Sequence, residues 1–176
     1  MLQGSHVVDR QRHMKILGID PGLNVSGYAL LANDGRQLRV LDAGTISTSV
    51  RLALPERIGQ ILTDAEELLE EGEPDLLAVE DLYAHYKHPR TAILMGHARA
   101  MFLVAAARRG VSVRHFAATR IKKSLTGNGR ASKEQMQLSV QSQLGLSVLP
   151  TPADVADALA IAMCCFNEVS RESVVT

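Results

Sequence analysis

Lys15-Ile16-Leu17-Gly18-Ile19-Asp20-Pro21-Gly22 is a short apolar run that ends on an acid and a turn signal. Such a segment reads as a core strand that delivers a carboxylate at its end. Working outward, Ser26–Ala32 reads as a second strand. Asn33-Asp34-Gly35 marks the hairpin turn into a third strand, Leu38–Ile46. Leu54–Glu71 places Ile58, Ile61, Leu62, Ala65, Leu68 and Leu69 on one helical face, with Gly72 as a stop. Leu76–Val79 is continuously apolar, as expected of a strand covered on both sides, and it also ends on an acid, Glu80. A helix over Thr91–Arg109, a strand over Val111–Phe116 and short helices near Ala118–Leu125 and Lys133–Leu144 follow. Thr151 or Pro152 opens a last helix through about Asn167. This order predicts an α/β domain with a mixed five-stranded sheet, three antiparallel strands and then parallel ones, with helices on both faces. Residues 14–168 are expected to form that single domain. Residues 1–13 read as a leader, disordered or left from cloning, and 169–176 as a C-terminal tail.

A chain of 176 residues with a 46% hydrophobic share has enough apolar material for one core. Cys164 and Cys165 are neighbours, hence poor disulfide partners, and read as reduced core residues of a cytoplasmic protein. No apolar stretch reaches the ~18 residues of a membrane span. Net charge is zero, but its distribution is lopsided. Between Leu82 and Lys133 there is no Asp or Glu, while 11 of the 19 Lys and Arg residues fall there. The stretch before it, Glu56–Asp81, is dominated by acids. A one-sided basic region points to a polyanionic partner; a solvated face is the alternative.

Asp20 and Glu80 would sit at strand carboxyl ends, the edge where open α/β sheets place ligands. Asp81 would point to the opposite sheet face, which favours Glu80. Asp154 and Asp157, three apart in Ala153-Asp-Val-Ala-Asp-Ala-Leu-Ala-Ile-Ala162, share a helix face. All four lie in apolar surroundings, where gathered like charges are unfavourable without a cation. Hard oxygen ligands from separate elements suit Mg²⁺ or Mn²⁺, and four carboxylates can hold two ions ~3.5–4 Å apart. Lys122 and Lys133 are the candidates to neutralise phosphate. The competing reading makes the strand-end acids turn or cap residues and Asp154 a first-turn acid favoured by the helix dipole. Asp157, flanked by Val155, Ala156, Ala158 and Leu159, fits it less well. The 91–109 helix is apolar nearly all round, so either the core or a second subunit covers its far side. Tyr83 and Tyr86, beside His85, Lys87 and Arg90, either stack on unpaired bases or anchor a loop. The histidines have no zinc-like spacing.

Taken together, these segments resemble the RuvC family of Holliday junction resolvases. The resemblance is carried by Ile16–Gly22 with Ser26-Gly-Tyr28, Ala78-Val-Glu80, Gly96-His-Ala-Arg99, Lys122 with Gly127-Asn-Gly129 and Lys133, and Ala153–Ala162. It implies a ribonuclease H-like fold and a homodimer that makes paired, symmetric nicks in four-way junction DNA. By matching position it implies Asp20, Glu80, Asp154 and Asp157 as catalytic metal ligands. It also implies DNA contacts from Tyr83, Lys122 and Lys133; Lys87, Arg90, Lys123 and Arg130 of the acid-free stretch are the further candidate DNA contacts. The implied cofactor is Mg²⁺, with Mn²⁺ able to substitute and two ions per site. The implied partner is the RuvA–RuvB branch-migration complex, and the chain has no nucleotide-binding loop of its own. Other ribonuclease H-like nucleases, an ATP-binding sugar-kinase or actin-like protein, and a non-catalytic junction binder are the competing classes.

Overall fold

The computed structural model describes residues 14–33, 37–82 and 89–174. Its strands are β1 (Lys15–Asp20), β2 (Val25–Asn33), β3 (Leu38–Ser47), β4 (Leu76–Glu80) and β5 (Ser112–Phe116). Its helices are α1 (Leu54–Gly72), α2 (Pro89–Arg109), α3 (Ala118–Thr126), α4 (Lys133–Leu144) and α5 (Ala153–Val174). The sheet runs β3-β2-β1-β4-β5. β2 is antiparallel to both neighbours, whereas β1–β4 and β4–β5 are parallel. That is the expected mixed sheet, and β1, β4 and β5 end on one edge.

Side-chain alternation along the central strands sorts the core into two layers. Leu17, Ile19, Leu30, Leu77 and Val79 pack with α1 and α2 through Ile61, Ala65, Leu69, Ala98 and Phe102. Ile16, Ala29, Leu31 and Ala78 face the other way, against Val155, Ala158, Leu159 and Ala162 of α5 and residues of α3 and α4. By the same parity Gly18, Asp20 and Glu80 belong to the α5 face. Gly18 matters there because a Cβ on it would overlap the Ala158 carbonyl oxygen and stand 2.8 Å from the Ala162 Cβ. A Cβ on Gly27, the cross-strand partner of Asp20, would overlap the Asp154 carbonyl oxygen. Helix α5 thus lies with its backbone directly on β1 and β2.

Local signals fix the helix ends. Ser132 and Gln135 form a reciprocal capping box at α4. Glu56 accepts a hydrogen bond from the Ala53 N–H ahead of α1, which carries Pro55 in its first turn. Gly127 and Gly145 end α3 and α4 with positive φ angles, 74° and 62°. Both adjacent cysteines are free and buried.

The structure departs from expectation in two places. Helix α2 already begins at Pro89, a residue tolerated in the first turn of a helix. The expected tail is not loose: residues 169–174 continue α5. Arg114 of β5 explains this, donating to both carboxylate oxygens of Glu172 at 3.2 and 3.1 Å and lying 3.8 Å from Glu168. Thr126-Gly-Asn-Gly129, between the two short helices, is a hydrogen-bonded turn. The Thr126 hydroxyl donates to the Lys122 carbonyl at 2.8 Å, and the Asn128 side chain accepts from the Arg130 N–H at 2.9 Å. The leader 1–13 and the turn residues Asp34 and Gly35 lie outside the described residues.

Gly18→Ala is expected to lower stability by at least about 1–3 kcal/mol, because the helix backbone, not a flexible side chain, occupies the space. Urea denaturation would check it; stability within error of wild type would show that α5 does not need this close approach.

Candidate functional site

Three elements bring the four carboxylates to the same edge of the sheet. β1 and β4 are parallel neighbours whose pairing reaches Ile19 and Val79, so Asp20 and Glu80 follow side by side on the α5 face. Opposite them, the first turns of α5 carry Asp154 and Asp157, with the Asp154 backbone against Gly27. The turn after Asp20 is held firmly. The Ser26 hydroxyl donates to the Gly22 carbonyl at 2.8 Å and accepts from the Gly22 N–H at 3.0 Å. Arg57 of α1 reaches under the same turn, donating to the Leu23 carbonyl, the Asn24 side chain and the Thr48 hydroxyl at 3.1, 2.5 and 2.9 Å. Nothing in the sequence around Arg57 pointed to this role, since its partners lie up to 34 positions away.

The electrostatics report the crowding directly. Burial, and then the charges of Asp157, Glu80 and Asp154, push the Asp20 carboxyl up from an ordinary 3.8 to about 7, against a lowering pull from Lys133. Burial, followed by Asp157, raises Glu80, while Lys122 opposes it. Burial also raises Asp157, opposed by Lys133, whose Nζ is 3.6 Å from Asp157 Oδ2. Such a set is suited to a cation. Its chemistry, all carboxylate oxygen, fits a hard divalent ion and not a thiophilic one. Among the described residues, no three or more His, Cys, Asp or Glu side chains are gathered closely enough to hold a metal ion. The carboxylates share a field without converging on one point, and Asp157 is paired with Lys133.

Beside the acids lies a cavity of about 190 Å³, lined by Glu80, Asp157, Lys122 and Lys133 with Ile121 and Met136 as its apolar wall. At roughly 30 Å³ per water, it has room for a phosphate group and a few waters. A larger groove of about 990 Å³ lies elsewhere, between α3 and the far half of α5. It contains Arg120, Lys123 and Arg171 but also Glu168 and Glu172, so its acids offset most of its positive charge.

The acid-free stretch is less uniformly basic in space than in sequence. Arg108 pairs with Glu66 at 2.8 Å, Arg109 with Glu70 at 2.7 Å, and Arg120 and Arg114 with acids of α5. These four serve to clamp helices and a strand together. Lys122 and Lys133 face the carboxylates, Lys123 lines the mixed-charge groove, and Arg130 follows the α3 turn. Arg90 is exposed at the start of α2, whereas Tyr83 and Lys87 lie outside the described residues. Asp81 is turned to α2, 3.6 Å from Arg99, away from the acid cluster.

Comparison with known proteins gives concordant matches. The family model described as crossover junction endodeoxyribonuclease RuvC matches residues 16–165. A protein of that same description from Rhodopirellula baltica is 52% identical over 149 residues, 85% of this chain and 84% of its own. A solved Thermus thermophilus RuvC in complex with Holliday junction substrate superposes with a TM-score of 0.86 at 34% identity, covering 92% of this chain and 98% of its own. The yeast mitochondrial Holliday junction resolvase Ydc2, at a TM-score of 0.67 and 13% identity, shares the fold, covering 97% of this chain and 87% of its own.

Because Asp20 holds its proton to about pH 7 when folded but only to 3.8 when unfolded, the fold gains from it at low pH. That contribution is lost as pH rises from 3.8 to 7, a change on the order of 2–4 kcal/mol. Asp20→Asn is therefore expected to melt above wild type at pH 8 in EDTA, with the gap closing toward pH 4. A gap independent of pH would remove the crowding argument.

Proposed function

The chain belongs to the RuvC family of crossover junction endodeoxyribonucleases, and on that premise we propose that Asp20, Glu80, Asp154 and Asp157 hold the metal with which it nicks Holliday junctions. The family's nucleases are metal-dependent. The supporting observation is the burial of Asp20 together with the crowding of Asp157, Glu80 and Asp154 around it, which push its carboxyl up to about 7. Mg²⁺ is the proposed ion, two per site, with Mn²⁺ able to replace it; bound there, it supplies Lewis-acid stabilisation of phosphate charge and activates the attacking water.

The chain's own residues do the rest. Asp20 and Glu80, fixed at neighbouring strand ends, and Asp154 and Asp157, fixed on α5, hold their main chains at set spacing before substrate arrives. Lys122 and Lys133 line the adjoining cavity and are proposed to bind the scissile phosphate, Lys133 exchanging its Asp157 partner for phosphate oxygen. Lys123, Arg130 and Arg90 are proposed as contacts to the flanking backbone, and Tyr83 and Lys87 as contacts at the crossover.

Two nicks placed symmetrically need two sites, so we propose a homodimer. Helix α2 supports it: Ile93, Leu94 and Val104 are 59%, 38% and 37% exposed. No helix among the described residues is long and apolar enough to cross a membrane. A single catalytic domain over 14–168, work in the cytoplasm and cooperation with a RuvA–RuvB motor complete the proposal.

Asp20→Asn and Glu80→Gln are each expected to reduce junction cutting by at least about 10²–10³-fold while junction binding persists, and to abolish the rise in Tm that Mg²⁺ gives wild type. Normal cutting by both would show that the ligands are assigned wrongly. Lys122→Ala is expected to weaken binding and to lower the slope of log K against log salt by about one; an unchanged slope would take Lys122 off the phosphate.

A further inference from the structure

Arg99 lies on α2, across the sheet from the acid cluster, yet it touches the strand that carries Glu80. Its side chain is 17% exposed. Nε donates to the Glu80 carbonyl at 3.1 Å, and Nη2 is 2.7 Å from His115 Nδ1 and 3.6 Å from Asp81 Oδ1. One guanidinium thus joins α2, the end of β4 and the end of β5. The contact falls where β4 has little other support on one side, because its pairing with β1 stops at Val79. On the other side the ladder continues, with the Asp81 N–H donating to the Phe116 carbonyl at 2.9 Å. A carbonyl at the end of a strand needs a donor, and Arg99 supplies it.

We infer that Arg99 is a positioning residue for Glu80, fixing the main chain at the end of β4 so that the Glu80 side chain is directed at α5. The inference rests on the reading of Glu80 as a metal ligand. Arg99 works through geometry: Lys122, not Arg99, is the cation whose charge bears on the Glu80 carboxyl. The planar fork is needed because its partners lie on different sides of the group, and a lysine ammonium on a flexible stem cannot reproduce that arrangement. The same residue sits on the inner side of a helix that exposes Ile93 and Val104 outward, so it also ties Glu80 to the proposed dimer helix. Displacement of a catalytic group by about 1 Å can cost 10²-fold in rate.

The test measures nicking of a labelled four-way junction against Mg²⁺ concentration for wild type, Arg99→Lys and Arg99→Met, together with junction affinity and the Tm with and without Mg²⁺. Both variants are expected to bind junction within about threefold of wild type, to cut about 10–100-fold more slowly, and to need several-fold more Mg²⁺ for half-maximal rate. Their Mg²⁺-induced rise in Tm should be smaller, and Lys should restore less than half of the lost rate. Asp81→Asn, which keeps the bond to the Glu80 carbonyl and loosens one anchor of the guanidinium, should show the same Mg²⁺ shift in weaker form, and serves if Arg99→Met does not fold. A lower Tm with wild-type rate per folded molecule and unchanged Mg²⁺ half-saturation would overturn the inference and leave Arg99 a structural brace. Glu80→Gln separates the two levels: if it is inactive while the Arg99 variants are normal, only the positioning role fails. If Glu80→Gln cuts normally, the ligand reading and this inference fail together.

Discussion

The fold depends most on the contact of α5 with the bare backbone of Gly18 and Gly27. Two missing side chains let a helix lie on a sheet closer than ordinary packing permits. Asp154 and Asp157 therefore reach the sheet edge where Asp20 and Glu80 emerge. Set α5 out by the width of a methyl group and its carboxylates recede from the strand ends. The same contact carries the larger part of the core on that face, because Val155, Ala158, Leu159 and Ala162 fill the space over Ile16, Ala29 and Ala78. Packing and chemistry are thus set by one interface.

The arrangement opposes its own stability. Burial weakens the ionised form of Asp20, Glu80 and Asp157 alike, and each carboxylate worsens the position of its neighbours. Lys122 and Lys133 offset part of this, and both remain within reach of a phosphate. A site that is uncomfortable alone is ready for cations and for a substrate that brings them. The remainder of the fold compensates with apolar burial on both faces of the sheet and with arginine clamps such as Arg108–Glu66 and Arg109–Glu70 between α1 and α2.

Much of this was legible in the sequence. Ile16, Gly18 and Asp20 alternate with Leu17 and Ile19, so a strand with one acid-bearing face could be read from the chain, as could the order of the ten elements among the described residues. The choice of Glu80 over Asp81 followed from the same alternation, and the structure places the two on opposite faces. What the sequence hid was pairing across distance. Arg108, Arg109, Arg114 and Arg120 looked like part of a free basic surface, but their acids are far away in the chain, 42 positions for Arg108 and Glu66. Those same pairings turned an expected tail into the last turns of α5. Arg57 and Arg99 act on main-chain carbonyls, which leave no mark in a side-chain pattern; for Arg99 the available signals were a cation set in the apolar 91–109 helix and its place in the Gly96–Arg99 motif.

The most direct measurement compares a labelled synthetic four-way junction having a mobile core with its matching linear duplex, in Mg²⁺ or Mn²⁺. Paired nicks at symmetric positions in the junction, with the duplex spared, are the result expected of the proposed dimer, with a metal-loaded acid cluster in each half. A junction that is bound but left uncut with either metal, or a duplex cut as readily as the junction, would contradict the account.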